Sequence, residues 1–419
     1  MIQVPDGWEL KLSSELCKGI ADGTHDTPQP SFFGFNLVTS KNLKDNKLDF
    51  EDCYLISEED YIAINKRSQV KQYDILFGMI GTIGNPVIIL NKNIDFAIKN
   101  VGLFRFNGDY ELAKWFYYYL SSEQFKNYLD FVLAGSSQKF VSLGMLRTLP
   151  ILIPKEKKEQ EKIAKILSTL DNAIESTNRI IEKEKNIKMA LMQELLTNGI
   201  DKNGQILTLQ THIYKQSELG LIPDEWEVKA LKSVGSCKNG LTYSPDDIIE
   251  SDGVLVLRSS NIKNNKLTFS DNVFVREDMK VNYKVQENDI LICVRNGSKN
   301  LIGKNALITR ESINMAHGAF MTVFHSNINE YVFQLFQSDL FFKQVEKNLG
   351  ATINSINNSD LLLFDFSFPK DEIEQKQITK ILTTQDEKIE IEEKNLAKLK
   401  ELKKGLMNDL LSGVVRVNV

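Results

Sequence analysis

Two stretches of the chain carry apolar residues at intervals of three or four, the spacing that lines one face of a helix. The first series is Ile163, Leu167, Leu170, Ile174, Ile181, Leu191 and Leu195; the second is Ile378, Leu382, Ile389, Leu396, Leu399, Leu406 and Leu410. A proline stands ahead of each (Pro154, Pro369), and Asn198-Gly199 or Ser412-Gly413 closes it, as helix boundaries require. Both stripes are heptad-like but interrupted, by Thr177, Glu184 and Lys188 in the first and by Gln385, Glu392 and Lys403 in the second. About 40 residues rising ~1.5 Å each predict rods roughly 60 Å long. One such helix cannot bury its stripe alone, so the two are expected to pair with each other. If they pair antiparallel, what precedes them sits at opposite ends of the rod.

Outside these stretches the pattern is mixed. Short apolar runs bounded by Gly, Asn and Pro, such as VIIL (87–90) and VLVL (254–257), predict strands. Aromatic-rich runs, LAKWFYYYL (112–120) and YVFQLFQSDLFF (331–342), predict helices whose rings pack the core rather than stack on bases.

Self-comparison explains why every feature comes twice. VPDGWELKLSSEL (4–16) returns as IPDEWEVKALKSV (222–234), and TSKNLKDNKLDF (39–50) as RSSNIKNNKLTF (258–269). YDILFGMIGTIG (73–84) answers to NDILICVRNGSKNLIG (288–303), with residues inserted in the loop. EQEKIAKILSTLD (159–171) matches EQKQITKILTTQD (374–386), and LMQELLTNG (191–199) matches LMNDLLSGV (406–414). The offset stays near 215–219 throughout, so the chain is a tandem duplication with a pseudo-two-fold relation. The expected division is a head at 1–154, a central helix at 155–198, a polar linker at 199–222, a second head at 223–369 and a C-terminal helix at 370–413. The expected fold class is α+β: two mixed α/β heads in tandem, separated by two long coiled-coil helices that are antiparallel if the heads lie at opposite ends of the rod.

Composition adds limits. The 419 residues are 42% hydrophobic and 26% charged, a globular balance. No run of about 18 apolar residues suggests a membrane span, and the N-terminus lacks the basic-then-apolar pattern of a signal peptide. Four scattered cysteines without a CxxC pair argue against disulfides or zinc and fit the cytoplasm. The net charge of −5 runs against phosphate binding unless basic residues gather on one face.

Catalytic signatures are missing. There is no GxxxxGK[ST] loop, no [DN]PP[YF] segment, and no HxxxH or HxE spacing among His25, His212, His317 and His325. The glycines of GMIGTIG (78–84) follow a strand but lead into Pro86, which suits a turn or a base-contacting loop better than a nucleotide site. PDEWEVK (223–229) looks superficially like a nuclease set, but its carboxylates are too close in sequence, and the first copy reads PDGWELK. It reads better as a strand start, with Trp8 and Trp226 as anchors.

YKQSELGLIPDEWEVKAL (214–231) resembles the phrase that opens the second half of type I restriction-modification specificity subunits. DGTHDTP (22–28) and SKNLKDNKL (40–48) resemble loops of their target recognition domains, and the two ends of each helix resemble their spacer helix. The resemblance covers nearly the whole chain in order. It implies a non-catalytic DNA-recognition subunit in which each target recognition domain reads one half of a bipartite duplex site. The paired helices set the spacing and dock two methylation subunits, which bind S-adenosylmethionine and modify adenine. Two restriction subunits, using ATP and Mg, join for cleavage. No cofactor is expected in this chain. The alternative is a duplicated coiled-coil adaptor that joins protein partners without DNA.

Base reading needs side chains that match base edges. The candidates in the first head are Thr24, His25, Ser40, Lys41, Asn42, Thr82, Ser137, Gln138 and Lys139. In the second they are Tyr243, Arg258, Ser259, Asn261, Arg295, Asn296, Ser298, Lys299 and Asn354. Asn42 and Asn261 recur, which favours a shared turn. Arg258 and Arg295 stand opposite Thr39 and a glycine-loop position, where two heads reading different sequences should diverge.

Overall fold

A computed structural model describes residues 4–134, 140–276, 284–349 and 354–418. The chain forms two compact units, Met1–Arg179 with Glu393–Val419, and Ile180–Glu392. Each unit therefore contains one head, the first part of the helix that follows it and the last part of the other helix.

In the first unit, strand Trp8–Leu12 pairs antiparallel with Pro150–Pro154, so the beginning and end of the head close on each other. A four-stranded antiparallel sheet runs in the order Gly19–Asp22, Val101–Arg105, Ile75–Gly78, Gly84–Ile88. Beside it Phe35–Val38 pairs parallel with Phe96–Ile98 and antiparallel with Leu55–Ile56. The second unit repeats this plan. Trp226–Ala230 pairs with Asp365–Pro369, and a four-stranded sheet runs Ser236–Asn239, Met321–His325, Ile290–Cys293, Asn305–Leu307. Val254–Leu257 pairs parallel with Ala316–His317.

Trp8 and Trp226 begin equivalent strands because each must bury a large ring where head meets helix. Trp8 packs edge-on against Trp115, with ring centroids 5.6 Å apart. Trp226 is fully buried and donates its indole N–H to Glu374, 3.2 Å away. The aromatic run of the first head lies on helix Tyr110–Leu120, where Trp115, Phe116 and Tyr119 are core residues. Its counterpart does not form one helix over 331–342. The chain breaks into Asn329–Leu335 and Asp339–Asn348. Ser338 starts the second piece by accepting the Phe341 N–H, a cap that competes with helix continuation. Ser122 does the same ahead of Glu123–Leu133. The predicted strand at 87–90 also shifts, to Gly84–Ile88. Part of 199–222 is ordered as the hairpin Tyr214–Ser217 with Gly220–Pro223.

The predicted helices are present as Lys157–Leu195 and Glu372–Leu411, 39 and 40 residues long. They pair antiparallel within each unit. In the first, Ile163 and Leu167 share a core with Trp8 and with Met407, Leu410 and Leu411. In the second, Met192 and Leu195 share one with Trp226, Ile378 and Leu382, while Glu184 and Lys188 lie opposite Gln385 and Asp386. Four of the residues that interrupt the stripes, Glu184, Lys188, Gln385 and Lys403, make polar contacts between the helices. Gln385 donates to the Glu184 carboxylate at 2.5 Å. Lys188 pairs with Asp386 at 2.6 Å, and Lys403 with Asp171 at 2.5 Å. Lys403 is Lys188 shifted forward by 215 and Asp171 is Asp386 shifted back by 215, so the duplication extends to individual contacts. The first unit is also tied by Arg416, which binds both oxygens of the buried Glu159 at 2.6 and 2.7 Å.

Candidate nucleic-acid interface

The recurring phrase S-x-N-(L/I)-K-x-N-K is a local fold. In the first copy Asp45 and Asn46 both take positive φ, 48° and 61°. In the second Asn264 and Asn265 do so, at 50° and 58°. That pair of conformations makes the tight two-residue turn suited to a hairpin, and Asn and Asp tolerate it. The hairpin is braced from within. Asn42 accepts the Thr39 N–H at 2.8 Å and donates to the Asp49 carbonyl at 3.0 Å. Asn261 accepts the Arg258 N–H at 2.9 Å and donates to the Thr268 and Asp271 carbonyls at 3.1 Å. Both asparagines are buried with their hydrogen bonds committed inward.

Ser40 extends this brace to the glycine loop. Its hydroxyl donates to the Asn100 carbonyl at 3.2 Å and accepts the Met79 N–H at 3.2 Å. Asn100 in turn places its side-chain oxygen 2.8 Å from His25 Nδ1, and His25 Nε2 lies 3.0 Å from Asp22. Thr24 accepts the Asp26 N–H and pairs with Lys99 across an isolated bridge. Thr24, His25 and Ser40 thus meet around Asn100. Lys41 and Thr82 line a cleft with Thr39, Leu43, Lys44, Asp45, Asp52 and Asn85. A hydrogen bond from Lys44 to Asp49 (2.6 Å) holds that ammonium above the usual lysine range, so it is a permanent cation of the hairpin. Ser137, Gln138 and Lys139 lie outside the described residues. The described residues that follow them are tied to the glycine loop: Ile80 bridges Phe140, and Val141 donates to the Met79 carbonyl at 2.9 Å.

In the second head the same two loops are knit together by polar side chains. Asn296 donates to the Ser259 hydroxyl at 3.0 Å. Its side-chain oxygen accepts the Ser298 N–H at 3.0 Å, and its backbone N–H reaches the Asn354 carbonyl at 3.2 Å. Asn354 donates back to the Gly297 carbonyl at 3.1 Å. Arg295, bridged to Ser355, occupies the position of Ile80. Ser298, Lys299 and Arg295 are exposed. Arg258 points elsewhere, onto Asp271 at 2.9 Å. Tyr243 is half-buried, on the segment beside Gly318. Burial pushes the Cys293 thiol above its usual range, which leaves it a protonated core group beneath the loop.

Ser259, Arg295, Asn296, Ser298 and Asn354 therefore form one cluster, whereas Arg258 and Tyr243 stand apart from it. Residues outside the original set also join. Asn85 and Asn100 are polar and visible in principle as loop asparagines. Ile80, Phe140 and Phe320 are apolar yet 46%, 47% and 58% exposed, and a search for hydrogen-bonding side chains passes over them.

A profile of the type I restriction modification DNA specificity domain matches residues 5–185 and again 223–401. The chain is 27% identical over 432 residues to the type I restriction enzyme MjaVIII specificity subunit of Methanocaldococcus jannaschii, spanning 99% of this chain and 95% of that protein. The fold is similar to the type I restriction-modification S subunit from M. genitalium, with TM-score 0.59 and 15% identity over 98% of this chain and 96% of that one. It is also similar to a structure concerned with complex assembly and conformational transition of the type I R-M system, with TM-score 0.58 and 15% identity, covering 99% and 100%. The two matched segments are the two copies of the duplication, each a head with most of its helix, and with them the chain belongs to the family of type I restriction-modification DNA specificity domains.

Proposed function

We propose that this chain is the non-catalytic recognition subunit of a type I restriction-modification complex, each head reading one half of a bipartite duplex site. The observation that carries the reading is a shared scaffold bearing different side chains. Both heads brace a hairpin and a glycine-type loop through Ser40 or Ser259. What projects from the scaffold differs: His25, Lys41 and Thr82 in one head, Arg295, Ser298 and Lys299 in the other, with Asn296 serving the brace. A structural duplication would keep its surface side chains or let them drift. Two readers of unlike half-sites need the braces kept and the tips changed. Asn42 and Asn261 are braces in this scheme, and Arg258 is a half-buried ion-pair partner.

The paired helices act as the spacer and as the docking surface for two methylation subunits. Those subunits bind S-adenosylmethionine and transfer its methyl group to adenine, and two restriction subunits with ATP and Mg supply cleavage when present. An adaptor without DNA is not favoured, because the family match covers both heads rather than the helices alone.

Titration of the pure chain, alone and with methylation subunits, against duplex DNA over a range of salt tests the proposal. Counterion release should give a steep salt slope, with an added sequence-dependent part. Binding that is flat in salt and indifferent to sequence would return the adaptor reading.

A further inference from the structure

The turn that enters the last strand of the sheet differs between the heads. In the first, two residues, Lys99 and Asn100, join Ile98 to Val101. In the second, three residues, Gly318, Ala319 and Phe320, join His317 to Met321. The register on both sides is equivalent, so the second head carries one extra residue there. Phe320 is 58% exposed and packs into no core. Its carbonyl accepts two backbone N–H groups, from Val294 and Arg295, each at 3.1 Å. Its ring centroid lies 5.8 Å from the Arg295 guanidinium carbon. Arg295 makes no ion pair with any described residue, unlike Arg258 on Asp271 and Arg276 on Asp247. The aromatic of the longer turn therefore stands beside an arginine that makes no ion pair among the described residues.

We infer that Phe320 is a positioning residue that holds the Arg295 guanidinium ready to read one guanine in the half-site of the second head. The inference rests on the base-reading role proposed above. Arginine suits guanine because its planar fork presents two donors to O6 and N7 in the major groove. Such a contact demands a fixed plane, and a free arginine on a loop has none. The face of Phe320 attracts the cation and restricts its rotamers. The shared backbone hydrogen bonds move loop and turn together, so the orientation is set before DNA arrives. The first head, with Ile80 at the equivalent position and Asn100 in the shorter turn, has no such device.

The test uses the full chain and a pool of duplexes randomised over both half-sites, with the bound fraction sequenced. The parent should select G at one position that Arg295→Ala no longer selects, a loss of about ten- to a hundredfold. Phe320→Ala should weaken selection at that same position by about two- to fivefold, the size of an exposed cation–π contact. Phe320→Trp should restore it, and selection in the other half-site should not change in any variant. The inference fails if Phe320→Ala selects as the parent does while Arg295→Ala does not, or if it weakens all positions evenly. Selection unaltered in Arg295→Ala would instead overturn base reading by Arg295, and the inference with it.

Discussion

Asn42 and Asn261 show how far a repeated side chain can be read. Each is buried, and each spends its amide on the backbone of its own hairpin. Replacement by Ala leaves buried backbone groups without partners, which costs about 1–3 kcal/mol. Urea unfolding should show a loss of that size for Asn42→Ala and for Asn261→Ala separately. Recurrence alone pointed to this turn, because a residue that two heads share is a poor candidate for telling two sequences apart. Phe320 was illegible for the opposite reason: whether an aromatic is buried or left in water is decided by the turn around it. Asp74 offers a second test at this scale. Burial pushes its carboxyl from 3.8 up to about 6, against the opposing pull of the Lys71 N–H. Between those values the folded chain keeps a proton that the unfolded chain has lost, so stability falls as pH rises through the interval and is level above it. Asp74→Asn retains an oxygen for the Lys71 N–H and removes the titration. Thermal melts should therefore show the variant gaining on the parent between pH 4 and pH 7, and an equal difference at both pH values would refute the assignment.

At the scale of elements, the long helices were the most legible part, because a stripe of period three to four over about 40 residues has few other solutions. Their interruptions were visible but unexplained in sequence. In the structure Lys188–Asp386 and Lys403–Asp171 use them to pair the helices, with Gln337 and Tyr118 as third members. Polar groups at a seam fix register at some expense of stability. Lys403→Ala should destabilise the first unit by about 1–3 kcal/mol, between the limits for exposed and buried pairs. A double-mutant cycle with Asp171→Asn should recover a coupling energy between the two, and strict additivity would deny the pair any role. The broken aromatic helix of the second head was misread because the aromatic residues on either side of Gln337, Ser338 and Asp339 outweighed that polar interruption. A cap of one residue outweighs periodicity over a short run.

For the whole molecule, the duplication was legible as a nearly constant offset, and with it the existence of two like heads and two helices. Chain order does not reveal the partition into compact units, because each unit borrows the far end of the other copy's helix. If the helices measure the unread base pairs, deleting matched heptads from both should shorten the tolerated spacer without altering either half-site. Methylated-base mapping in a strain carrying the shortened chain checks this, and a changed half-site would contradict it. The borrowed helix ends also bear on how the protein is made. Ile180–Glu392 is one unbroken stretch, so it has every part it needs once the ribosome has passed residue 392. The first head emerges earlier but cannot complete its core until Met407, Leu410 and Leu411 arrive. During synthesis the head made first should be the last to close. Its waiting apolar seat around Trp8 and Leu167 is where a nascent chain most needs protection from aggregation.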